Sequence, residues 1–325
     1  MKNIIDKTLE ILSANSEWQE RYEGYLSDIW SNPGKINKGF KKPQVLSIYT
    51  TVGDRNSRNY YLRFKGQNVG KISVRNNGNV KLQCVVEESR SHNIKGCPLK
   101  YREFADWESP EAAQFRSFFK HLSLETKTKS PEHEVENALL EEFRKRIGAE
   151  KILHNIQPIL LHSNFFQMPT PLKASTHTPT YAQHSGGGID MLARIKTKGT
   201  GHTRLCVIEI KDENKSFESQ KAAMSQAITY ATFIAKLLTE QPDWMEFFMG
   251  HKIKLNRNSR CLDKYDIEVV TIMPEGNTET YQNKILEIPG TNFKLHCHSL
   301  FYNPLKFLGT NDFEFSGTFL DEIKK

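Results

Sequence analysis

The chain of 325 residues has no long hydrophobic run and few cysteines. The absence of any stretch of 18 or more apolar residues argues against a transmembrane helix. The five cysteines are odd in number and follow no Cys-x-x-Cys spacing, so we expect free thiols rather than disulfides or a zinc site. Internal repeats and low-complexity tracts are also missing. What remains is a globular protein, 38% apolar, with a length suited to two domains.

Residues 1–30 predict one amphipathic helical region, and their start, MKNIIDKTLEILS, does not fit a secretory signal. Ile4, Ile5, Leu9 and Leu12 stand at helical spacing, and charged residues interrupt them. A signal peptide needs an uninterrupted apolar stretch. We therefore expect a cytoplasmic protein that does not use a membrane as partner.

Positive charge is concentrated in one region. Residues 31–102 contain 15 Lys and Arg against 3 Asp and Glu, a surplus of 12 in a chain whose total is +7. The rest of the chain therefore carries a net charge of −5. A concentrated basic region indicates an anionic polymer as partner, most often nucleic acid, although a solubilising surface is the simpler alternative.

Residues 43–86 alternate as strands do and predict a small antiparallel sheet. Tyr60, Tyr61 and Phe64 lie among the basic residues there, a mixture that suits contacts to phosphates and bases. The same aromatic residues fit a hydrophobic core equally well. The residues that we predict to bind nucleic acid from this sheet are Arg63, Lys65, Lys71, Arg75 and Lys81.

The second half of the chain predicts the order α-β-β-β-α-β. A helix after Ser130, an extended stretch at 158–168 and two strands at 188–196 and 204–211 are followed by a helix at 217–238 and a strand at 265–274. We therefore divide the chain into a basic N-terminal α+β module, residues 1–125, and an α/β domain, residues 126–325, with a C-terminal extension.

A hairpin between the two central strands brings two carboxylates together. Glycines in TKGTGHT suit a tight turn, and a turn centred near Gly199 makes the numbers of paired residues sum to about 399. Asp190 then faces Glu209, with Cβ atoms roughly 4.5–5.5 Å apart. Like charges at this distance among apolar residues are destabilising, and a divalent cation removes the penalty. Lys211 points the same way as Glu209, where it can orient an attacking water or stabilise negative charge.

The strands GGIDMLARI and CVIEIK resemble the PD-(D/E)XK nuclease superfamily, with Asp190, Glu209 and Lys211 as its Asp and Glu-x-Lys. Ile189 holds the place of the proline that gives the motif its name. In SQAITY, Gln226 and Tyr230 resemble the Q-x-x-x-Y element of the subgroup related to RecB and the mismatch-specific endonucleases. At i and i+4 they share one helix face.

This resemblance implies a restriction-endonuclease-like core, a central mixed sheet flanked by helices, and a magnesium-dependent nuclease in which Mn²⁺ can replace Mg²⁺. The family's first helix often supplies a further carboxylate, and both Glu132 and Glu136 match it. The metal ligands it implies are Asp190, Glu209, the Ile210 carbonyl and Glu136. DNA is the expected substrate, and double-strand cutting by one site per chain makes a homodimer a further expectation.

The same residues also fit simpler roles. Glu209 and Lys211 could form a salt-bridged face on an exposed sheet edge, and Asp190 could be a turn former after three glycines. Glu132 could complement the helix dipole in the first turn, and Tyr230 could belong to the core.

Two functions therefore remain open: a DNA endonuclease of the restriction, repair or defence type, and a nucleic-acid-binding protein that keeps the fold without cleaving. His296 and His298 face one side of a strand, but without a third ligand a structural role is expected for them.

Overall fold

The computed structural model of the protein describes sixteen stretches of the chain. They are residues 2–31, 46–50, 58–74, 79–87, 94–122, 131–145, 153, 155–161, 164–174, 178–183, 186–196, 203–212, 219–249, 265–276, 284–303 and 314–323. Within them the protein is a mixed α/β structure built on two sheets.

Two helices open the chain, α1 (Lys2–Ala14) and α2 (Glu17–Ser31), where the sequence predicted one helical region. The break has a local cause, because the Asn15 side chain donates to the Ile11 carbonyl at 2.8 Å and competes with the helical main chain. Trp18 Nε1 then donates to the Leu12 carbonyl at 3.0 Å and fixes the two helices together.

The first sheet contains the predicted antiparallel strands and is larger than expected. Its order is β5-β4-β3-β2-β1-β8-β7, antiparallel from β5 to β1, with β8 joined to β1 in parallel. Its strands are β1 (Leu46–Thr50), β2 (Arg58–Phe64), β3 (Gln67–Val74), β4 (Val80–Cys84), β5 (Phe104–Asp106), β7 (Leu160–Leu161) and β8 (Asn164–Gln167).

Helix α3 (Pro110–His121) packs on the inner face of this sheet. Ser109 caps it, since its hydroxyl accepts a hydrogen bond from the Ala112 N–H at 3.3 Å. Phe115 and Phe119 are fully buried against Leu62 and Ile72. Tyr60 and Phe64 also belong to this core, whereas Tyr61 points to the other face.

The second sheet is mixed, with the order β14-β15-β13-β12-β11-β6 and β16 paired with β15. Strands β12, β13 and β15 are parallel, and the remaining pairs are antiparallel. Its strands are β6 (Ile156–Pro158), β11 (Met191–Lys196), β12 (Thr203–Ile210), β13 (Tyr265–Pro274), β14 (Lys284–Glu287), β15 (Phe293–Tyr302) and β16 (Phe315–Ser316). A separate pair is formed by β9 (Leu172–Lys173) and β10 (Thr180–Tyr181).

Helices cover both faces of the second sheet. Helix α4 (Pro131–Arg144) and α7 (Phe319–Ile323) pack on one face, and α5 (Gln220–Glu240) with α6 (Asp243–Met249) packs on the other. The apolar stripe of α4 is buried at Val135, Leu139 and Phe143. Ser130, after which the sequence predicted this helix, lies outside the described residues.

Packing crosses the predicted boundary at residue 125, and two examples show it. Trp18 and Tyr22 of α2 pack edge to face on Phe233 of α5, with ring centroids 5.7 and 5.0 Å apart. Each such pair contributes about 0.5–1.5 kcal/mol beyond the area it buries. The β1–β8 pairing is the second link. The two-domain division stays a prediction.

Of the described helices, none is long and apolar enough to cross a lipid bilayer. Cys84, Cys97, Cys206 and Cys297 are free thiols, as expected, and Cys261 lies outside the described residues.

Candidate functional site

The site lies where β12 ends, at the carboxyl edge of the second sheet. Glu209 and Lys211 point to the same face, as strand alternation predicts, and are 1% and 3% exposed. Lys211 Nζ donates to Glu209 Oε1 at 2.7 Å. Because β12 lies between β11 and β13, this ion pair is buried in the interior of a sheet. The alternative of a salt bridge on an exposed edge is therefore wrong.

Asp190 stands beside this pair because of the hairpin register. The observed ladder runs from Met191 opposite Ile208 to Lys196 opposite Thr203, which confirms the predicted sum of 399. One step further, the Asp190 Oδ2 accepts a hydrogen bond from the Ile210 N–H at 2.8 Å. Asp190 is therefore fixed against β12 rather than serving only as a turn former. The turn itself, residues 197–202, lies outside the described residues.

The first turns of α4 bring further carboxylates to the same place. Glu132 Oε1 lies 3.4 Å from Lys211 Nζ. Glu132 therefore contacts the site, and complementing the helix dipole from the first turn of α4 is not its only role. Glu136 is 4% exposed, and its Oε2 lies 3.2 Å from Nδ1 of His133. Of the two first-helix candidates, Glu132 contacts Lys211 directly, whereas Glu136 acts on the site through its charge, which helps to raise the pKa of Asp190.

Helix α5 completes the wall opposite α4. Gln226 Oε1 accepts from Lys211 Nζ at 3.4 Å, and its Nε2 donates to the Tyr230 hydroxyl at 3.4 Å. Tyr230 is buried, and a Cβ added to Gly187 would lie 1.9 Å from its hydroxyl oxygen. Gly187 is thus needed for the close approach of the Asp190 loop to Tyr230.

The electrostatics of the site are those of acids crowded around one cation. Burial, with Glu136 and Glu132 nearby, raises the pKa of Asp190 to about 7, although Lys211 opposes this shift. Burial and the Asp190 charge raise the pKa of Glu209. Burial alone would lower the pKa of Lys211, but Glu209 and Asp190 outweigh it and the pKa rises. Burial also raises the pKa of Tyr230, and Glu209 adds to the shift.

Two observations bear on a metal ion. The Glu209 Oε2 is buried and has no hydrogen-bond partner among the described residues, as expected of an oxygen that awaits a cation. In the same part of the chain, no group of three or more His, Cys, Asp or Glu side chains is arranged to hold a metal. The described side chains therefore form no all-protein cage for a metal.

A hydrogen-bonded bridge links the first sheet to the site. Gln167, 4% exposed at the end of β8, donates from Nε2 to the Asp190 carbonyl at 2.8 Å. Its Oε1 accepts from Arg63 Nη1 at 2.6 Å. Gln167 was missed in the sequence, since a glutamine in FFQM carries no sign of its partners.

The turn between β2 and β3 makes a second link, to α4. Gly66 has φ +76, and a Cβ added there would lie 2.3 Å from the Cβ of His133. Lys65 also has a positive φ, of +44. Burial lowers the pKa of the Lys65 ammonium, and the nearby Glu134 charge opposes that shift. His133 was also missed, although its position three residues before Glu136 places both on one helix face.

The five basic residues predicted to bind nucleic acid have different positions. Lys71 and Lys81 lie on the outer face of the first sheet, and Arg63 on the same face is bonded to Gln167 and Asn68. Lys65 lies in the β2–β3 turn rather than on a strand. Arg75 lies outside the described residues.

His296 and His298 belong to a separate ion-pair network on the opposite face of the second sheet. His296 Nε2 lies 3.0 Å from Asp266 Oδ1, and His298 Nε2 lies 2.9 Å from Glu268 Oε2 without hydrogen-bond alignment. Arg204 contacts both carboxylates, at 3.1 and 2.5 Å. The guanidinium neutralises these acids, which agrees with a structural role.

Comparisons with known proteins give no match: no protein-family model, curated protein or solved structure is similar to this chain.

Proposed function

We propose that the protein is a divalent-metal-dependent nuclease that hydrolyses phosphodiester bonds in DNA, with Asp190, Glu209 and Lys211 at its active site. The observation that carries this proposal is the buried Glu209 carboxylate, held beside Asp190 with one oxygen bonded to Lys211 and the other without a partner among the described residues. Lys211 provides one positive charge for the two adjacent buried acids, so a further cation would lower the cost of burying them.

The chain order around the site supports a restriction-endonuclease-like core of the PD-(D/E)XK type. In the second sheet the chain passes through α4, β6, β11, β12, α5 and β13, the α-β-β-β-α-β order of that resemblance. The Asp stands at the start of β11 and the Glu-x-Lys at the end of β12. The Gln226–Tyr230 pair faces Lys211 from α5.

Each residue has a proposed role. Asp190 and Glu209 would hold Mg²⁺, with the Ile210 carbonyl and Glu136 as the further ligands that the resemblance implies, and Mn²⁺ could substitute. The chemistry that this ion would supply is a water of lowered pKa and shielding of charge on the phosphate. Lys211 orients the nucleophile and stabilises negative charge on the phosphate. Glu132 and Gln226 position the Lys211 ammonium, and Tyr230 holds Gln226 and the Gly187 loop in place.

A cleavage assay tests this proposal. Supercoiled plasmid and single-stranded DNA are incubated with the protein in Mg²⁺, Mn²⁺ or EDTA, beside Asp190→Asn, Glu209→Gln and Lys211→Met. Glu287→Gln is the matched control, since Glu287 is an exposed acid at the far edge of the same sheet. Metal-dependent cutting by the wild type and the control, lost in the three site variants, supports the nuclease.

The alternative, a nucleic-acid-binding protein that does not cleave, gives a different result. It predicts salt-sensitive binding of DNA without cutting under any metal condition. The fully retained Asp, Glu and Lys favour the enzyme over this alternative, since a protein that only binds gains nothing from two buried acids beside a buried lysine.

A further inference from the structure

A row of side chains crosses the outer face of the first sheet and ends at the candidate site. Each member lies opposite the next on the neighbouring strand, so five steps of about 4.8 Å span about 24 Å. In strand order the row is Phe104, Gln83, Lys71, Tyr61, the main-chain position of Tyr49, and Gln167. Gln167 is the residue that donates to the Asp190 carbonyl.

The row lies on the face opposite the core. Residues that alternate with it, among them Leu62, Ile72 and Leu82, are fully buried beneath α3. Tyr61, Lys71 and Gln83 are half-buried, and Phe104 at the far end is 59% exposed. The sheet therefore offers an increasingly open surface from the site outwards to β5.

Exposed aromatic rings are concentrated at this open end. Among the described residues, three large hydrophobic side chains are exposed: Phe104, Tyr101 at 43%, and Ile285 on the second sheet. The Arg102 guanidinium lies over the Tyr101 ring at 5.0 Å. Flat rings open to solvent and next to cations are what single-stranded nucleic acid uses for base stacking.

The loop that carries these rings is held in a fixed conformation. Arg102 has φ +65, a left-handed conformation that is unfavourable for a non-glycine residue. The Arg102 N–H donates to the Cys84 carbonyl at 2.8 Å, and the Glu103 main-chain carbonyl accepts from the Cys84 N–H at 2.9 Å. The surface is therefore preorganised for a ligand, because the loop is tied to β4.

The charge on this face is complementary to a phosphate backbone. Arg63, Lys71 and Lys81 lie on it, and Lys100 and Arg102 flank Tyr101. Acids also lie among them: Asp106 is 4.0 Å from Lys81, and the Glu103 Oε2 accepts a hydrogen bond from the Lys100 N–H at 2.7 Å.

We infer that this outer face binds single-stranded DNA, with bases stacked on Phe104 and Tyr101 and the backbone running past Lys71 towards Gln167 and Asp190. A duplex keeps its bases stacked on one another, so their faces are not available to these rings. A single strand also suits a site whose Glu209 and Lys211 are recessed below the surface. The inference itself concerns binding alone. That the bound strand is a substrate rests on the proposed nuclease function.

Fluorescence anisotropy in EDTA tests the inference without cleavage. The probes are a fluorescein-labelled single strand of DNA, the same strand annealed to its complement, and an RNA of the same sequence. The variants are Phe104→Ala, Tyr101→Ala and the double variant, and Ile285→Ala is the control because it removes an equally exposed hydrophobic side chain elsewhere. We expect tighter binding of the single DNA strand than of the duplex or the RNA. The double variant should weaken single-strand binding by about tenfold or more and leave duplex binding unchanged.

Equal or tighter binding of the duplex or of the RNA overturns the inference, as does unchanged single-strand affinity in the double variant. The proposed nuclease function is tested separately, by cleavage in Mg²⁺ with the wild type and Lys211→Met, so its failure is distinguishable from failure of the binding inference. If single-strand binding depends on Phe104 and Tyr101 but no cutting occurs, the inference stands and the nuclease is rejected. If cutting depends on Lys211 while the aromatic variants bind normally, the nuclease stands and the inference about the outer face is rejected.

Discussion

The side-chain amide of Gln167 donates a hydrogen bond to the main-chain carbonyl of Asp190 at 2.8 Å. Its oxygen accepts a second bond from Arg63 at 2.6 Å, so one buried side chain connects a cation of the first sheet to an acid of the site. The proposed active site is thus held in place by residues from both sheets.

The two halves of this bridge can be separated by mutation. Gln167→Glu keeps an acceptor for Arg63 and removes the donor to Asp190, so we expect kcat to fall about tenfold, or about 1.4 kcal/mol. Arg63→Met keeps the donor to Asp190 and should lower kcat less. Equal losses of kcat in steady-state cleavage assays would show that Gln167 does not act through Asp190.

Metal binding should stabilise the protein through the two buried acids. We expect Mg²⁺ to raise the Tm of the wild type and of Glu287→Gln, but not that of Asp190→Asn. In EDTA the Asp190→Asn variant should melt about 2 °C higher than the wild type, since it removes a like-charge contact worth about 1 kcal/mol. Differential scanning fluorimetry measures both effects. A lower Tm for Asp190→Asn in EDTA contradicts the account of repelling carboxylates.

Gly187 should tolerate no side chain while Tyr230 keeps its hydroxyl. The added Cβ of Gly187→Ala would lie 1.9 Å from that oxygen, so we expect a loss of about 1–3 kcal/mol in the free energy of unfolding. Gly188→Ala, which meets nothing within 4 Å, is the neighbouring control. Adding Tyr230→Phe should restore part of the loss in urea unfolding. If the double variant recovers no free energy of unfolding, the strain in Gly187→Ala does not come from the contact with the Tyr230 hydroxyl.

Gly66 and Gly290 form a matched pair for the contact between the β2–β3 turn and α4. Both have a positive φ, of +76 and +73, so alanine at either costs about 1–2 kcal/mol of backbone strain. Only at Gly66 does the new Cβ meet a neighbour, His133 at 2.3 Å. We therefore expect Gly66→Ala alone to reduce cleavage, through displacement of His133 and Glu136. If Gly66→Ala and Gly290→Ala cleave DNA equally well, the contact between the β2–β3 turn and His133 does not affect the site.

Features set by local periodicity could be predicted from the sequence. The hairpin register followed from the turn position and the two-residue strand repeat, and the ladder confirmed it. Strand β13 has the predicted bounds because an apolar run ends at Pro274. The break between α1 and α2 was not predicted, although Asn15 and Ser16 are residues that favour helix caps over helix interiors.

Contacts made by tertiary packing could not be predicted. Arg63 and Gln167 are 104 positions apart, and their strands meet only because β8 adds to β1 in parallel. Gly66 reaches His133 across two different elements. No spacing rule connects such residues, so the tertiary contacts of Gln167, His133 and Gly187 emerge from the structure alone.

The packing of α2 on α5 has a consequence for how this protein can evolve. Replacing residues 1–125 with another domain would strip Trp18 and Tyr22 from Phe233 and leave β8 without its partner β1. Residues 126–325 are therefore not a unit that recombination can attach to a new N-terminal domain. The two parts of the chain are inherited and fold together.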